Sequence, residues 1–206
     1  MEAATAWLLA QDPWEALAVV LALAYLLLAV RENLWCWAAA FASTLIYLLL
    51  FWQQRLYMQS VLQLWYLVMA VYGWWSWRGG AREAHALPIS RRPLRWHLGW
   101  LALVVAASVL NGALLLLYTD AALPWGDALA TWGSVFATWM VARKILENWL
   151  WWFLIDALSL YLYLDRGLYL TGGLFLGYLV IVVFGYRSWQ RHYREQQATR
   201  PAALTG

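Results

Sequence analysis

The sequence predicts an all-α integral membrane protein with seven transmembrane helices. Of its 206 residues, 65% are hydrophobic and only 12% are charged, about half the charged share of a soluble domain. The apolar residues fall in continuous runs of about 20, which is the length that a helix needs to cross the hydrocarbon core. A β-barrel would require alternating ten-residue segments, so helices are the class that satisfies the backbone hydrogen bonds in lipid.

Three apolar runs fill the first part of the chain. Pro13-Trp14 opens the first run, and loops that contain Arg31 and Arg55 separate the three. The first thirteen residues carry no Lys or Arg, so they lack the basic region of a cleavable signal peptide. The first run is therefore expected to stay in the protein as a membrane helix. The predicted spans are Trp14–Val30, Asn33–Trp52 and Leu56–Trp77.

Four further runs complete the predicted bundle. A polar stretch from Arg78 to Arg95 separates the third run from the fourth, and Pro124-Trp125 opens the fifth. Arg143-Lys144 and Arg166 stand in the last two loops. The predicted spans are Trp96–Tyr118, Trp125–Ala142, Asn148–Leu164 and Leu168–Trp189.

The Lys and Arg residues are divided unequally between the two sides of this bundle. Twelve of the fourteen lie in alternate connections, and only two lie in the others. Because positively charged loops stay in the cytoplasm, the N-terminus is predicted to lie outside and the C-terminus inside. Termini on opposite sides of the membrane require an odd number of spans, and seven is an odd number.

The third and seventh spans are similar to each other. In Leu56–Trp77 and Leu168–Trp189, 11 of 22 aligned positions are identical at an offset of 112. Upstream, Glu32-Asn33 aligns with Glu147-Asn148 at an offset of 115, which puts a three-residue slip in the loop after the second span. These matches predict an internal duplication.

The predicted organisation is a single transporter domain over residues 1–206. It consists of a first three-helix repeat at 14–77, a linker helix at 96–118 and a second repeat at 125–189. The linker returns the chain, so the two repeats are parallel, as in the 3+1+3 plan of SWEET-type transporters. The substrate is then expected at the interface between the repeats, near the midplane.

The composition also excludes several classes of function. Cys36 is the single cysteine and the three histidines lack ligand spacing, so no metal, disulfide framework or cofactor is predicted. The basic residues stand in short loops, which is not the pattern of a nucleic-acid-binding surface. A membrane enzyme would need paired acids or an activated nucleophile, and a receptor subunit would not need a duplication. A transporter is therefore favoured over both alternatives.

One acidic residue, Asp156, lies well inside a span. An ionised carboxylate there is costly unless it faces a cavity or a partner, so a functional role is predicted; packing between helices is the alternative. Trp149, Trp152 and Asp156 follow the spacing i, i+3, i+7 and share one helical face. Two indoles and a carboxylate suit a flat, cationic, hydroxylated ligand. For Trp149, an anchor at the membrane interface is an equally favoured interpretation.

Polar side chains on two further spans are candidates for the same cavity. On the third span, buried amides and a phenol require partners, so substrate recognition and interhelical bonding are both open. On the fifth span, cavity lining and close packing are both open, because hydroxyls can bond back to their helix. Gly173 and Gly177 form a GxxxG motif, which predicts close helix packing. The polar candidates are Gln59, Gln63, Tyr66, Asp127, Thr131, Ser134 and Thr138.

The segment Glu147–Val180, ENWLWWFLIDALSLYLYLDRGLYLTGGLFLGYLV, resembles the PnuC family of bacterial vitamin transporters. ENLWCW at Glu32–Trp37 and LYMQSVLQLWY at Leu56–Tyr66 resemble it too, and the resemblance covers nearly the whole chain. It implies facilitated diffusion of an unphosphorylated B-type vitamin across the inner membrane, with a cytoplasmic kinase that traps the vitamin. The substrate contacts that it implies are Trp149, Trp152, Asp156 and Gln63.

The resemblance leaves the substrate open. It implies nicotinamide riboside, thiamine, riboflavin or a nucleoside, and Asp at the position of Asp156 is typical of thiamine-type members, whereas Asn goes with nicotinamide riboside. Nicotinamide riboside and thiamine both carry a positive charge on an aromatic ring. Nicotinamide riboside is the favoured expectation, as the commoner substrate, and thiamine is the alternative. The sequence does not determine the oligomeric state, and a homo-oligomer is one of the states that it allows.

Overall fold

The computed structural model of this chain describes residues 13–53, 57–82, 87–118, 124–165 and 169–199. Within these ranges seven helices form and no strand does; one isolated bridge joins Ser90 and Ile145. The all-helical class and the seven predicted helices are therefore confirmed. The helices are α1 (Pro13–Val30), α2 (Cys36–Gln53), α3 (Tyr57–Arg82), α4 (Leu94–Tyr118), α5 (Pro124–Ala142), α6 (Asn148–Asp165) and α7 (Tyr169–Thr199).

Among the described residues, four helical segments are long and apolar enough to cross a membrane by length and composition. They are Pro13–Val30, Cys36–Gln53, Leu94–Tyr118 and Gly172–Thr199. The other three helices, α3, α5 and α6, hold the polar candidate residues, and polar side chains and tryptophans lower their mean hydropathy. The helices that are least suited to contact lipid on all sides are thus the ones that carry the predicted site.

Helix ends differ from the predicted bounds by more than two residues at three places. α2 begins at Cys36 rather than Asn33, because residues 31–35 form a turn. α3 continues through Gly79-Gly80 to Arg82, and α7 continues to Thr199. Both extensions lie outside the apolar runs, so hydropathy excludes them from the spans. The extension of α7 is rich in Arg, Gln and Glu, which are good helix formers.

The chain divides into two compact units, Met1–Gly79 and Gly80–Gly206. In the first unit, α1 packs on α2. In the second unit, α4 packs on α5, α5 on α6 and α6 on α7. The helix predicted as a linker therefore belongs to the second unit.

The corners that follow α1 and α5 have the same backbone hydrogen bonds. Each is a Schellman cap, in which one residue is left-handed and its own N–H and the N–H of the next residue both bond back to the helix. The left-handed residues are Glu32, with φ 54°, and Lys144, with φ 47°. The bonds, all 3.0 Å, run from Glu32 N–H to Ala29 O, Asn33 N–H to Leu28 O, Lys144 N–H to Val141 O and Ile145 N–H to Met140 O.

These equivalent bonds lie 112 residues apart, and so do the first residues of α2 and α6. The predicted offset of 115 for this segment, and the slip after the second span, are therefore wrong. In the structure Trp37 corresponds to Trp149, not to Trp152. The helix caps decide how the two corners align, and they form on different residue types, Glu32 and Lys144. The identical Glu-Asn pairs therefore gave the wrong alignment.

In each unit a buried tryptophan packs against a glycine. Trp37 lies over Gly73 and Trp149 lies over Gly185, so closely that a Cβ on either glycine would overlap the indole. Each tryptophan also meets a second one edge to face, a favourable aromatic geometry. The two pairs, Trp37–Trp77 and Trp149–Trp189, have ring centroids 5.5 Å apart and interplanar angles of 88° and 87°.

The close packing predicted for the GxxxG motif is wrong within the residues that the structure describes. Gly173 and Gly177 are exposed, and a Cβ on either would meet no described atom within 4 Å. Close contact occurs instead at Gly73, Gly112 and Gly185, each of which lies under a tryptophan ring. An indole needs a gap in the neighbouring helix, and glycine spacing alone does not show where that gap falls.

Candidate functional site

α6 is held on two sides by helices of the second unit. Ile155 and Leu162 meet glycines of α5, and Trp149 meets Gly185 of α7. The exposed apolar side chains of α6 fall on the remaining outer side. They are Leu150, Phe153, Leu154, Tyr161 and Leu164.

Trp152, Asp156 and Ser159 occupy the sector of α6 between its two contact sides. Measured from Ile155 at about 100° per residue, they lie at roughly 60°, 100° and 40°, and Trp149 lies at about 120°. Asp156 is only 5% exposed and Ser159 only 8%, although both are polar. Trp152 is half-buried. This inner sector of α6, Trp152 with Asp156 and Ser159, is therefore a polar and aromatic strip turned away from the outer surface.

The Asp156 carboxylate has no hydrogen-bond or ion-pair partner in the part of the chain that the structure describes. A buried carboxylate without a partner costs several kcal/mol in an apolar environment. A packing role would place a donor beside it, because interhelical glue works through hydrogen bonds. The arrangement favours a group that is held for a ligand.

The two tryptophans of the predicted motif differ in their surroundings. Trp149 is 1% exposed and its ring is occupied by Gly185 and Trp189, while its Nε1–H has no partner among the described residues. Trp152 is half-buried, and no described aromatic ring contacts it. Of the two indoles, Trp152 is therefore the one that no described aromatic ring already covers, which makes it the better candidate for stacking on a ligand.

The candidates on α3 belong to the first unit. Gln63 is half-buried and makes no hydrogen bond to another described residue. Tyr66 is also half-buried and already interacts with another part of the protein. The side chain of Gln59 lies outside the described residues. An amide whose donors and acceptor are unused fits a ligand-facing role for Gln63.

The hydroxyls of the α5 stripe bond to their own helix. Thr138 is buried and donates to the Ser134 carbonyl at 2.8 Å, and Thr131 donates to the Asp127 carbonyl at 2.8 Å. These bonds use the hydroxyl protons. Thr138 could therefore only accept a hydrogen bond from a substrate.

Two buried hydroxyls were not among the residues predicted from the sequence. They are Ser159 on α6 and Thr44 on α2, and neither makes a hydrogen bond to a described residue. Ser159 follows Asp156 by three residues, so the helical spacing could have found it. Thr44 precedes Asp156 by 112 residues, which is the offset between the two helix caps, and would hold the equivalent position in the first predicted repeat.

A second polar cluster ties the start of α4 to the start of α6. Glu147 is 7% exposed and accepts hydrogen bonds from Arg91 Nε at 2.9 Å and from the Arg92 backbone N–H at 3.2 Å. His97 Nε2 lies 3.7 Å from the same carboxylate, and His97 Nδ1 accepts from Trp151 Nε1 at 3.3 Å. The bond to Glu147 raises the pKa of the Arg91 guanidinium. Because Glu147 is fully engaged, this cluster is an anchor rather than a binding site.

We expect Glu147→Gln to destabilise the second unit by about 1–2 kcal/mol. The amide cannot pair with Arg91 as a charge, and a buried acceptor is replaced in part by a donor; solvent screening of Arg91, 49% exposed, keeps the loss moderate. Thermal unfolding of the detergent-solubilised protein measures it, at ~2–4 °C per kcal/mol for a chain of this size. Glu195→Gln, at an exposed position of α7, is the matched control. An unchanged Tm for Glu147→Gln would contradict the anchor.

The first unit also has an apolar groove of about 510 Å³ on α2 and α3. Its exposed lining is entirely apolar, so it lacks the hydrogen-bonding groups that orient a hydroxylated ligand. It is therefore a less suitable site than the inner sector of α6. Its lining residues are Phe41, Leu67, Val68, Val71, Tyr72 and Trp75.

Comparison with known proteins agrees with this architecture. A family model described as nicotinamide mononucleotide transporter matches residues 12–191. The chain is 30% identical over 186 residues to the riboflavin/roseoflavin transporter RibM of Streptomyces davaonensis, covering 88% of this chain and 85% of that protein. It is 24% identical over 173 residues to the nicotinamide riboside transporter PnuC of Escherichia coli, covering 72% of each. The crystal structure of the vitamin B3 transporter PnuC has the same fold, with a TM-score of 0.69 at 21% identity over 93% of this chain and 87% of that one.

Proposed function

This chain belongs to the nicotinamide mononucleotide transporter family, and we propose that its substrate is an unphosphorylated vitamin made of a flat heteroaromatic ring and a five-carbon polyol. It is a multi-pass inner-membrane transporter rather than an enzyme. The observation that carries the proposal is the inner sector of α6. There the buried Asp156 has no partner among the described residues and lies one turn from the half-buried Trp152.

The chemistry of this sector matches what the substrates named for two relatives have in common. Riboflavin joins a flat ring system to a ribityl chain, and nicotinamide riboside joins a pyridinium ring to ribose. The Trp152 indole would stack on the flat ring. The Asp156 carboxylate would accept hydrogen bonds from the polyol hydroxyls. We propose further substrate contacts from Gln63 and Tyr66, and from Thr138 as a hydrogen-bond acceptor. Trp149 would contribute through its indole N–H.

Nicotinamide riboside is the first candidate. Its ring carries a positive charge, and a buried carboxylate without a partner favours a cationic ligand, because the two charges attract strongly where solvent is excluded. The mononucleotide in the family's description would bring a phosphate, and thus negative charge, towards Asp156. We therefore propose the riboside rather than the nucleotide.

Riboflavin is the second candidate, because a riboflavin/roseoflavin transporter shares 30% identity over 88% of this chain. Its ring is uncharged, so Asp156 would serve only as a hydrogen-bond acceptor. Thiamine, the alternative implied by the sequence resemblance, has a cationic ring but a single hydroxyl and no polyol. Its binding would require Asp156 to act mainly as a counter-charge.

For the mechanism, we propose facilitated diffusion by alternating access, with the repeats 14–77 and 125–189 as the moving parts. α4 would move with the second repeat, because Trp100 stacks on Phe136 with centroids 4.7 Å apart and Trp96 stacks on Trp139 at 6.1 Å. The C-terminus would lie in the cytoplasm, where a kinase traps the vitamin. An inside-negative potential would favour entry of a cation by roughly 2.3 kcal/mol per 100 mV.

Uptake into liposomes that contain only the purified protein tests this function. We expect labelled nicotinamide riboside to equilibrate with the interior, chemically unchanged and without a coupling ion. Trp152→Ala should lower the rate by about tenfold, as the loss of one stacked ring is worth about 1–1.5 kcal/mol. Trp75→Ala, which removes an exposed indole of α3, is the matched control.

The other outcomes of this experiment are equally informative. Uptake of riboflavin alone would select the second candidate, and uptake of thiamine alone would contradict the polyol requirement. Conversion of the substrate would indicate an enzyme. Binding without uptake would mean that a partner protein is needed.

A further inference from the structure

The buried hydroxyls of this protein fall into two groups. Four of them have partners within the protein: Ser43 donates to Ala18 O at 2.8 Å, Ser108 to Val104 O at 2.7 Å and Thr138 to Ser134 O at 2.8 Å, and Ser60 is also engaged. The other two make no hydrogen bond to any residue that the structure describes. They are Thr44 and Ser159.

Ser159 departs from the usual behaviour of a serine inside an apolar helix. Such a serine commonly satisfies its proton on the carbonyl four residues earlier, as Ser108 and Thr138 do here. Ser159 makes no such bond to Ile155 and is 8% exposed. The Ser159 Oγ is not one of the fully buried side-chain atoms that lack a partner, so part of this oxygen is accessible beside the inner sector of α6. A purely structural serine at this place would be expected to bond to its own helix instead.

The position of Ser159 relates it to the proposed site. It lies one turn beyond Asp156 and two turns beyond Trp152, and all three share the inner sector of α6, between the sides that meet α5 and α7. A ligand that stacks on Trp152 and reaches Asp156 therefore has Ser159 next along its length. Along α6, the residue that recognises the ring therefore precedes the residues that recognise the polyol.

Building on the proposed function, we propose that Ser159 is a further substrate-contacting residue, whose hydroxyl pairs with a hydroxyl of the substrate's polyol beside the Asp156 contact. A carboxylate only accepts hydrogen bonds, whereas a serine hydroxyl both donates and accepts. The pair can thus read two adjacent hydroxyls of a ribose or ribityl group. Selection against a vitamin without a polyol follows, because Ser159 would then remain unpaired.

A cycle of variants and deoxy analogues tests this inference. Dissociation constants are measured by tryptophan fluorescence for the wild type and Ser159→Ala, with nicotinamide riboside and its 2′-, 3′- and 5′-deoxy analogues. We expect Ser159→Ala to weaken nicotinamide riboside binding about fivefold to tenfold, the value of one hydrogen bond. For one deoxy analogue the substitution should make no difference, because that analogue already lacks the partner hydroxyl.

The control variant is Ser108→Ala, a buried serine on α4 whose proton is already used by Val104. It should bind all four ligands like the wild type, and Ser159→Ala should unfold at the same temperature as the wild type or slightly above it. An equal loss for every ligand, or no loss for any, would overturn the role of Ser159 while leaving the transporter proposal intact. If the wild type binds riboflavin and not nicotinamide riboside, the same cycle is run with riboflavin and lumichrome, its ring without the ribityl chain. If the wild type binds neither vitamin, the proposed function fails and this inference fails with it.

Discussion

Replacing Asp156 with asparagine is expected to lower nicotinamide riboside uptake roughly 30- to 100-fold and, at the same time, to raise the thermal stability of the protein. Uptake falls because charge-assisted hydrogen bonds are worth about 1.5–3 kcal/mol and asparagine carries no counter-charge. The sequence resemblance, in which Asn goes with nicotinamide riboside, implies the opposite result, so retained uptake would contradict the counter-charge role of Asp156. Stability rises because a buried carboxylate without a described partner is replaced by a neutral group of the same shape. Proteoliposome uptake and unfolding temperature are measured on the same preparation.

A fall in uptake together with a rise in unfolding temperature identifies a carboxylate that binds the ligand. Asp165→Asn makes the same change at the exposed end of α6 and should affect neither uptake nor Tm. If Asp156→Asn lowers Tm together with uptake, Asp156 is a structural residue and the site assignment is wrong. If uptake of riboflavin survives while that of nicotinamide riboside is lost, Asp156 acts chiefly as a counter-charge.

Gly185→Ala is expected to destabilise the second unit by about 1–3 kcal/mol or more. The new methyl group would overlap the Trp149 ring, which is 1% exposed and cannot move without displacing Trp189. Because Trp149 opens the helix that carries Asp156, uptake should fall as well. Thermal unfolding in detergent measures the effect, at ~2–4 °C per kcal/mol.

Two comparisons separate this clash from a general intolerance of α7. Gly177→Ala lies on the same helix, meets no described atom within 4 Å, and should be neutral or stabilise by up to about 1 kcal/mol through helix propensity. Combining Gly185→Ala with Trp149→Phe should recover part of the stability, because the smaller ring leaves room for the methyl group. A Gly185→Ala protein as stable as the wild type would contradict the packing described above.

The helices were predictable because each is a long apolar run whose ends are marked by charge, proline or glycine. The prediction failed at the ends of α3 and α7, where polar sequence continues a helix beyond its apolar part. It also failed for the register of α2, because a two-residue identity outweighed the cap geometry in the alignment. Backbone hydrogen bonds at Glu32 and Lys144 decided that register.

The candidate site was predictable only in part. Asp156 and Trp152 could be named because a carboxylate inside an apolar run is rare and helical spacing puts the indole on its face. The sequence could not separate Trp152 from Trp149, since both are tryptophans on that face. Nor could it separate Ser159 from Ser108, because both are serines in apolar helices and only the carbonyl within reach of each hydroxyl distinguishes them.

The sequence by itself determined the membrane class, the seven helices and the resemblance to a vitamin transporter family, and it predicts the duplication. The membrane class and the helices depend on composition and on the length of the apolar runs, because a helix in lipid must satisfy its backbone within its own segment. The resemblance depends on particular motifs. Only the tertiary structure decided which glycines receive a tryptophan, that Glu147 is an anchor, and that Asp156 and Ser159 keep unpaired polar atoms among the residues described. Such properties depend on which side chains of other helices come within contact distance, and helix-to-helix contacts leave no fixed spacing in the chain.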